Sequence, residues 1–566
     1  MPIDPVTLAV LKGRLEQIAD EMDATLYRSA FNPIIAEARD ACHGLYHAET
    51  GDTLVQGTKG LPIFVGAMAF AVRAVIAKVQ AEGGLQPADT YLFNDPYDGG
   101  THLNDFRLVR PVFRDGRLFC WLASVGHWLD IGGNVPGNYN PRATESHQEG
   151  VRFPPVKLLR AGVMQQDILD ILAANSRAPQ SNWGDLNGQL NALDLGERRL
   201  LDLLAEYGES TVAEAFGLLM DRAEALMASE IAALPDGVYA YEDFLDNDGV
   251  VDEPLRIALD MRIEGGRMVL DFSRSSPPCA GPVNISYATT VAACYVALKH
   301  AFPEVPANAG VLRRVEVIAP ETTLLGARAP RPVAGYTETI LRQIGVIFGA
   351  LGQARPDRAT AAPFGTINAL SLSGQRADGT RWVMFSFFGG GLGGNPESDG
   401  LHHANNPIST ATMPPVEILE AASPVMFTQW ALRPDSGGPG LHRGGVGAVY
   451  EIEALAPGMT EIALLGERGR FAPSGVAGGG AGAMNTFWWE SSDGRASPPM
   501  ASKVVGVSIR QGQRLRLESP GGGGWGDPLQ RPVEAVARDI RLGYVSAEAA
   551  MRDYGVRIAP DGSVSR

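Results

Sequence analysis

The sequence predicts an α+β multidomain protein, with a mixed α/β N-terminal part, a helical middle segment and a β-rich C-terminal half. A chain of 566 residues is too long for one hydrophobic core. Apolar residues recur with helical spacing near the N-terminus and again between residues 165 and 233, whereas short alternating runs and glycine clusters dominate from about residue 237. We therefore predict three regions, residues 1–235, 236–410 and 411–566.

The N-terminal helix has the clearest signal. Asp4 is a suitable N-cap and Pro5 suits the first helical position. The apolar residues that follow share one helix face: Leu8, Leu11, Leu15, Ile18 and Met22. Residues 64–79 predict a second helix that is apolar nearly all round, as buried helices are.

Shorter elements follow along the chain. The predicted strands are residues 90–93, 118–125, 239–244, 313–318 and 383–388. The predicted helices are residues 337–351 and a basic tail at 532–554. The strand at 90–93 leads into one polar loop and the strand at 118–125 ends at His127, and the ends of strands hold functional side chains rigidly.

Composition excludes several classes of protein. The net charge is −16 and no dense Lys/Arg block occurs, which argues against a nucleic-acid binder. The first residues lack a signal-peptide pattern, and no run of 18 apolar residues occurs. The four cysteines are far apart and suggest no disulfide framework: Cys42, Cys120, Cys279 and Cys294. We expect a cytoplasmic protein that binds neither nucleic acid nor membrane.

Glycine is abundant, at 67 residues, and much of it is clustered. The clusters occupy residues 389–394, 437–447, 478–482 and 521–526 and alternate with β-like runs. This pattern predicts tight loops in a folded protein. The run at 521–528 lacks the Lys and Ser/Thr of a phosphate-binding loop, so a turn is the favoured interpretation.

Three polar clusters in the first quarter of the chain suggest one chemistry. They are Arg39-Asp40, residues 94–105 and residues 126–133. His102 and Asp105 are three residues apart, and His127 and Asp130 repeat this spacing. Two imidazoles with carboxylates suit zinc, manganese or iron. A single histidine in a glycine loop is more typical of a hydrogen-bonded turn, so only the coincidence of two pairs favours a metal.

Other polar residues are weaker candidates. The adjacent His402 and His403 point in different directions in most backbones, so they are interpreted as loop residues. His43 and His47 are interpreted as structural. Cys42 has no neighbour that would clearly lower its pKa, so it is a poor nucleophile.

The same clusters carry a resemblance to a known family. The chain resembles the B subunit of the hydantoinase/oxoprolinase family, which is related to the larger subunit of ketone carboxylases. The matching motifs run from about residue 3 to 556 and include Arg39-Asp40, residues 94–97, 99–102, 130–133, 148–150, 154–158, 281–284, 308–310, 415–417, 435–438, 443–445 and 519–528.

The resemblance implies a divalent metal, most simply zinc, with manganese or iron as alternatives. By position, Asp40, His102, Asp105 and His127 match the family's metal ligands. Asp130 is then a candidate for orienting a ligand histidine. Two further carboxylates, Glu145 and Glu149, are candidates for proton transfer or substrate binding.

Trp128 is a departure from the family pattern, since many members have a second histidine there. We consider two interpretations: an apolar wall of the substrate pocket, or a core residue behind the site. The first predicts a substrate with more apolar surface than 5-oxoproline.

The resemblance also implies a two-component enzyme. An A-type ATPase subunit would phosphorylate a cyclic amide, such as a hydantoin, a 5-oxoproline-like lactam or another lactam, and this B-type chain would complete the hydrolysis. A ketone carboxylase of acetone or acetophenone type is the alternative enzyme. A scaffold that has lost its metal is the non-catalytic alternative, against which the retained ligand positions argue.

Overall fold

The computed structural model describes residues 3–405, 407–409, 411–559 and 564–566. The α-helices in these ranges are α1 Pro5–Ser29, α2 Pro33–Ala36, α3 Pro62–Glu82, α4 Gln166–Ala174, α5 Pro179–Tyr207, α6 Glu209–Ala232, α7 Tyr287–Ala301, α8 Tyr336–Ala354, α9 Val416–Ala422, α10 Val533–Arg541 and α11 Ala547–Tyr554.

The strands are β1 Ala41–His47, β2 Thr53–Gln56, β3 Thr90–Phe93, β4 Asp105–Arg114, β5 Arg117–His127, β6 Val156–Arg160, β7 Val163–Met164, β8 Gly237–Leu245, β9 Leu255–Glu264, β10 Arg267–Asp271, β11 Val315–Ile318, β12 Ala369–Gln375, β13 Arg381–Ser386, β14 Val425–Leu432, β15 Ala448–Ala454, β16 Met459–Leu465, β17 Thr486–Ser491, β18 Gly494–Ala496, β19 Lys503–Arg510, β20 Arg514–Glu518, β21 Arg557–Ile558 and β22 Val564–Ser565.

The N-terminal region is organised by an antiparallel seven-stranded sheet with the order β2-β1-β5-β4-β3-β6-β7. Successive side chains of a strand point to opposite faces, so β5 sends Ala123 and Val125 into one core and Leu122 into the other. The first core also contains α3, α7 and α8 residues, whereas the second contains α1, α5 and α6 residues. The sheet is therefore buried on both faces.

Three further sheets build the rest of the chain. Their orders are β11-β10-β9-β8, β13-β12-β16-β19 and β14-β15-β20-β17-β18, and a two-stranded ribbon joins β21 to β22. Only the β10–β11 pairing is parallel among the described strand pairs; the others are antiparallel, as hairpins and meanders produce. The protein is a mixed α/β chain with several sheets, as the sequence predicts.

Most predicted elements appear with shifted ends. α1 starts at Pro5, and the Asp4 side chain accepts hydrogen bonds from the N–H groups of Val6 and Thr7. The helix predicted at 64–79 extends over α3, which is also the one described helix apolar and long enough to span a membrane by composition. Its apolar side chains pack in the first core, as those of a core helix do. The tail at 532–554 forms two helices, α10 and α11.

The predicted regional boundaries stay predictions. Residue 235 lies between α6 and β8, and residue 410 lies outside the described residues. The first core joins residues from all three predicted regions, for example Val72, Ile344 and Leu465. The three predicted regions therefore share one hydrophobic core and are not separated by it.

The glycine clusters form irregular segments that pack closely against one another. Among the described glycines of the four clusters, Gly478 and Gly526 have a positive φ and the others do not. A Cβ on Gly391 would overlap the Gly445 carbonyl, and one on Gly522 would overlap the Leu392 carbonyl. The segments are also cross-linked by backbone hydrogen bonds, such as Gly445 N–H to Leu392 O at 2.7 Å and Gly522 N–H to Gly445 O at 3.0 Å. Glycine is needed in these loops for the close approach of neighbouring backbones as well as for turns.

Candidate metal centre

The sheet places two predicted ligands opposite each other. Asp105 is the first residue of β4, His127 is the last residue of β5, and the two are paired in the antiparallel ladder. Asp105 and Val109 lie an even number of positions apart along β4, as do His127 and Val125 along β5. Because Val109 and Val125 belong to the first core, the side chains of Asp105 and His127 point to that same face of the sheet. His102 lies in the turn before β4, with its ring centroid 5.1 Å from that of His127.

These three side chains form a compact and buried donor cluster. One donor atom from each of His102, Asp105 and His127 lies within 4.8 Å of the others. His102 Nε2 is 3.0 Å from Asp105 Oδ1. Within the described part of the chain, Nδ1 of both histidines is buried without a hydrogen-bond partner. Buried polar atoms are normally satisfied, so a divalent cation fits this donor set.

Asp40 borders the same space without belonging to that three-residue cluster. It lines one cavity with His127, and its backbone oxygen accepts a hydrogen bond from His127 N–H at 3.2 Å. Its Oδ1 is buried and has no partner among the described residues. Burial, together with the Asp105 charge, raises the pKa of Asp40 well above its usual value. A cation would remove this penalty, so Asp40 could serve as a fourth ligand.

The charge states of the other donors suit metal binding. Burial lowers the pKa of His127 to about 3, and the neighbouring His102 adds to this effect. Burial alone would raise the pKa of Asp105, but His102, Arg107 and His127 hold it below its usual value. A neutral imidazole and an ionised carboxylate are the forms that bind metals.

Arg107 and Thr101 fix the Asp105 carboxylate. The Thr101 hydroxyl donates to Asp105 Oδ2. Arg107 donates from Nη2 to Thr101 Oγ1 at 2.7 Å and from Nη1 to the Asp105 carbonyl at 2.6 Å. Arg107 is fully buried. Neither residue has a local pattern that marks it as functional, although Thr101 lies within the motif at residues 99–102.

A cavity of about 30 Å³ lies against the cluster, enough for one or two waters. Its apolar wall consists of Leu61, Ile63, Ile367, Phe385, Phe387 and Ile408. Its polar lining consists of Asp40, His127, Tyr139, Tyr336, Thr337, Asn405 and Ser409. No Lys or Arg is among the described lining residues.

Two tyrosines extend the site away from the sheet. The Tyr139 hydroxyl is 3.4 Å from His127 Nε2, and the Tyr336 ring centroid is 4.8 Å from that of His102. Phe385 stacks on Tyr139 at 4.7 Å and on His127 at 5.2 Å. Burial and the nearby carboxylates raise the pKa of both tyrosines well above their usual values. Both therefore remain hydroxyl donors. Sequence reasoning did not place either tyrosine in the site: Tyr139 lies 12 residues after His127 in the loop that follows β5, whereas Tyr336 comes from the distant start of α8.

The contacts of Asp130 contradict the hypothesis that this residue orients a ligand histidine. Its carboxylate accepts hydrogen bonds from the N–H groups of Gly132, Gly137 and Arg177 at 2.9–3.1 Å and pairs with the Arg177 guanidinium at 3.1 Å. The described contacts join it to neither His102 nor His127. Asp130 folds the loop after β5 and does not orient a ligand histidine.

The two candidate glutamates also lie outside the donor cluster. Glu145 is exposed, and its nearest ionic partner is His147 at 3.9 Å. Glu149 is buried, and its carboxylate accepts hydrogen bonds from Val333 N–H and Ala334 N–H, each at 2.8 Å. Burial raises the pKa of Glu149 to about 8. Glu149 thus anchors the segment that leads to Tyr336, and the described contacts join neither glutamate to His102, Asp105 or His127.

Trp128 belongs to the core behind the site. Its ring stacks on Phe106 at 4.0 Å and its Nε1 donates to Gln189 Oε1 at 3.1 Å. It lies in the second core, on the opposite face of the sheet from His127. It also borders a separate cavity of about 270 Å³ between α4 and α5. The pocket-wall interpretation is therefore corrected in favour of core packing.

The fold and donor cluster define a mixed α/β protein with a candidate metal centre at one end of its main sheet. The family model for hydantoinase B/oxoprolinase matches residues 4–528. The chain belongs to the hydantoinase B/oxoprolinase family.

Several relatives match nearly end to end. The beta subunit of the caprolactamase of Pseudomonas jessenii is 33% identical, over 99% of this chain and 97% of the relative. The B subunit of the putative D-/L-hydantoinase of Pseudomonas sp. (strain NS671) is 29% identical, over 98% of this chain and 95% of the relative.

Two solved structures share the fold. The crystal structure of the ATP-dependent caprolactamase from Pseudomonas jessenii aligns with a TM-score of 0.89 and 30% identity, over 99% of this chain and 98% of that one. Nucleotide-free acetone carboxylase aligns with a TM-score of 0.90 and 22% identity, over 99% of this chain and 81% of that one. The second likeness concerns the fold alone.

Proposed function

We propose that this chain is the metal-binding subunit of a two-component, ATP-dependent enzyme that hydrolyses a cyclic amide. The observation that carries the proposal is the buried cluster of His102, Asp105 and His127 with Asp40 beside it. Family membership and the names of the caprolactamase and hydantoinase relatives support cyclic amides as the substrate class. Zinc is the first choice of metal, with manganese or iron as alternatives.

The reaction requires ATP because an unstrained amide resists water. In the proposed sequence, the partner transfers the γ-phosphoryl group of ATP to the amide oxygen and releases ADP. Water then adds to the former carbonyl carbon, the C–N bond breaks, and a proton goes to the ring nitrogen. A second water hydrolyses the resulting acyl phosphate, which leaves a ring-opened amino acid and phosphate. The sum is one ATP and two waters per ring opened.

The residues on this chain have distinct roles in that scheme. His102, Asp105 and His127, with Asp40, would hold a divalent metal, which would lower the pKa of water and so supply a nucleophile near neutral pH. Tyr139 and Tyr336 are hydroxyl donors at the cluster and would stabilise negative charge on the substrate oxygen or protonate the leaving nitrogen. Phe385 and Phe387 would exclude bulk water from the reacting carbon.

The groups that border the cluster favour a neutral ring as substrate, and the cavity of about 30 Å³ must widen to admit one. The described lining offers six apolar side chains and no Lys or Arg. Two carboxylates, Asp40 and Asp105, already balance a divalent charge, so a carboxylate on the substrate ring would be buried without a partner. We therefore expect a neutral lactam or hydantoin to react faster than 5-oxoproline, for a reason that does not involve Trp128.

The proposed enzyme also requires a partner subunit of A type, which would carry the ATPase activity. Two relatives are named as the beta or B component of their enzymes, which supports a second component here. We propose a hetero-oligomer in the cytoplasm, with neither nucleic acid nor membrane as a partner. We expect the isolated chain to open no amide and to bind ATP weakly or not at all, because its glycine segments lack a phosphate-binding lysine motif. Calorimetry with ATP tests this, and micromolar affinity would contradict the division of labour.

Turnover by the reconstituted complex tests the function. This chain and its A-type partner are supplied with ATP and a lactam, a hydantoin, or a ketone with bicarbonate, and ring-opened product, carboxylated product and ADP are measured. Ring opening that is coupled to ADP formation and lost with chelator supports the proposal. Carboxylation of the ketone without ring opening would establish the alternative enzyme; this chain's coverage of 98% of the caprolactamase chain but 81% of the acetone carboxylase chain favours the hydrolase.

A further inference from the structure

The two ligand-bearing strands are joined by a side chain just beyond their last backbone pair. Asp105 and His127 end the β4–β5 ladder. One residue further out, the Asn104 carbonyl accepts a hydrogen bond from Trp128 N–H at 2.9 Å. The Asn104 side chain also donates from Nδ2 to the Trp128 carbonyl at 2.9 Å. Asn104 and Trp128 are therefore joined by two hydrogen bonds, as a ladder pair is, but one of the two comes from the Asn104 side chain and not from the backbone.

The same amide connects to the segment that carries Tyr139. Asn104 Nδ2 donates a second bond to Asn138 Oδ1 at 3.1 Å. Asn138 in turn donates from Nδ2 to the carbonyls of Gly132 and Glu149, each at 2.7 Å. Asn138 has a φ of +71°, in the left-handed region that asparagine tolerates better than most residues. Both asparagines are buried, so water cannot replace these bonds at low cost.

We propose that Asn104 is a positioning residue that sets the distance between the two halves of the metal centre. His102 and Asp105 flank it on one segment, and His127 precedes its partner Trp128 on the other. Without the side-chain pair, the strand ends are held by one backbone bond beyond the ladder and can separate. The donor atoms of His102, Asp105 and His127 then spread beyond the spacing that one cation requires. The proposal rests on the metal-binding function proposed above.

A matched control exists on the neighbouring loop. Asn140 is buried, and its side chain also makes two hydrogen bonds. Its Nδ2 donates to Asn134 Oδ1 at 3.0 Å, and its Oδ1 accepts from Arg142 N–H at 2.9 Å. These bonds stay within the loop and touch neither ligand-bearing segment. Asn140→Ala therefore removes the same number of bonds without releasing the strand ends.

The experiment compares wild type, Asn104→Ala, Asn104→Ser and Asn140→Ala as full-length chains. The probe is Co²⁺ or Zn²⁺ alone, and the readouts are the metal Kd by chelator competition, the Co²⁺ absorption spectrum and the Tm of metal-free protein. Asn104→Ser retains a polar group and serves if the alanine variant does not fold. We expect either Asn104 variant to raise the metal Kd about 10- to 100-fold, as loss of groups that orient ligands typically does, and to change the Co²⁺ spectrum.

The possible results distinguish the positioning role of Asn104 from the metal-binding function of the chain. Wild-type Kd and spectrum in the Asn104 variants would overturn the positioning role, even if their Tm falls. An equal loss of metal affinity in Asn140→Ala would also overturn it, because the effect would then be general destabilisation of the loop. A wild-type chain that binds no metal would instead refute the function proposed above.

Discussion

Asp105 and His127 face each other as the terminal pair of an antiparallel ladder, with Asp105 starting β4 and His127 ending β5. This relationship turns a short polar motif and a strand end about 20 residues away into one buried donor site. The β4–β5 ladder places Asp105 and His127 opposite each other, and the turn that carries His102 completes the cluster. The chemistry we propose depends on this end of the sheet.

Asp105→Asn should abolish tight metal binding, because it removes the ionised ligand while preserving the shape of the side chain. We expect the metal Kd to rise more than about 100-fold, since even partners outside the coordination sphere are worth about 10- to 100-fold. Asp95→Asn is the control: Asp95 is buried on the same loop, but it caps Tyr97 N–H and pairs with Arg152. Chelator competition measures both variants, and equal affinities would argue against Asp105 as a ligand.

Trp128→His should lower stability without changing substrate preference. The change removes the stack on Phe106 and leaves empty volume in the second core, which costs about 2–4 kcal/mol. Denaturant unfolding measures the loss. Rates on a lactam and a hydantoin, with the A-type partner present, provide the second readout. A changed rate ratio at unchanged stability would restore the pocket-wall interpretation.

Asp185 should make the stability of the fold pH-dependent. Burial raises the pKa of Asp185 from 3.8 to about 6, although hydrogen bonds from Asn32 N–H and Phe31 N–H oppose the shift. The folded state therefore binds this proton more tightly than the unfolded state does. Its contribution is fully present below pH 3.8 and is lost as the pH rises through about 6, by about 3 kcal/mol in total.

Asp185→Asn should remove that dependence. The Asp185 Oδ1 atom accepts both backbone bonds and Oδ2 has no partner among the described residues, so an asparagine oxygen can replace it without the charge. The difference in unfolding free energy between variant and wild type, measured from pH 4 to pH 8, should shift in favour of the variant. A difference that stays flat over this range would contradict the raised pKa.

Gly522→Ala should destabilise the protein by about 1–3 kcal/mol, because its Cβ would overlap the Leu392 carbonyl and backbone cannot yield cheaply. Gly13→Ala is the opposite case. Gly13 is exposed in α1 with open space around it, so alanine should stabilise by up to about 1 kcal/mol through helix propensity. Thermal unfolding of both variants measures the contrast. A neutral Gly522→Ala would show that the glycine segments are not tightly packed.

The sequence predicted local elements better than it predicted the surroundings of the candidate site. Asp4, Pro5 and the apolar stripe of α1 act within one helix, so periodicity and capping identify them. His102 and Asp105 are close in sequence and their turn brings them together. The predicted role of Asp130 was wrong because a carboxylate near a histidine in sequence does not reveal its partner, which is Arg177 in this fold.

The missing parts of the site come from long-range packing. Tyr336 and Phe385 reach the cluster from α8 and β13, more than 200 residues away in sequence. No local pattern distinguishes them from other core aromatics. The pocket-wall interpretation of Trp128 was wrong for a related reason. Trp128 directly follows the candidate ligand His127, but successive side chains near a strand end point to opposite faces. Glycine clusters predict turns by composition, whereas here neighbouring backbones need the space that a Cβ would fill.

The metal content of the purified chain tests the central claim most directly. Protein prepared without chelator should contain about one equivalent of a divalent metal by elemental analysis, because the buried donors of His102, Asp105 and His127 suit one cation. His102→Ala should lose most of that metal while remaining folded by circular dichroism. Far less than one equivalent in wild type, even after incubation with zinc, manganese or iron, would contradict the account, as would full retention of metal in His102→Ala.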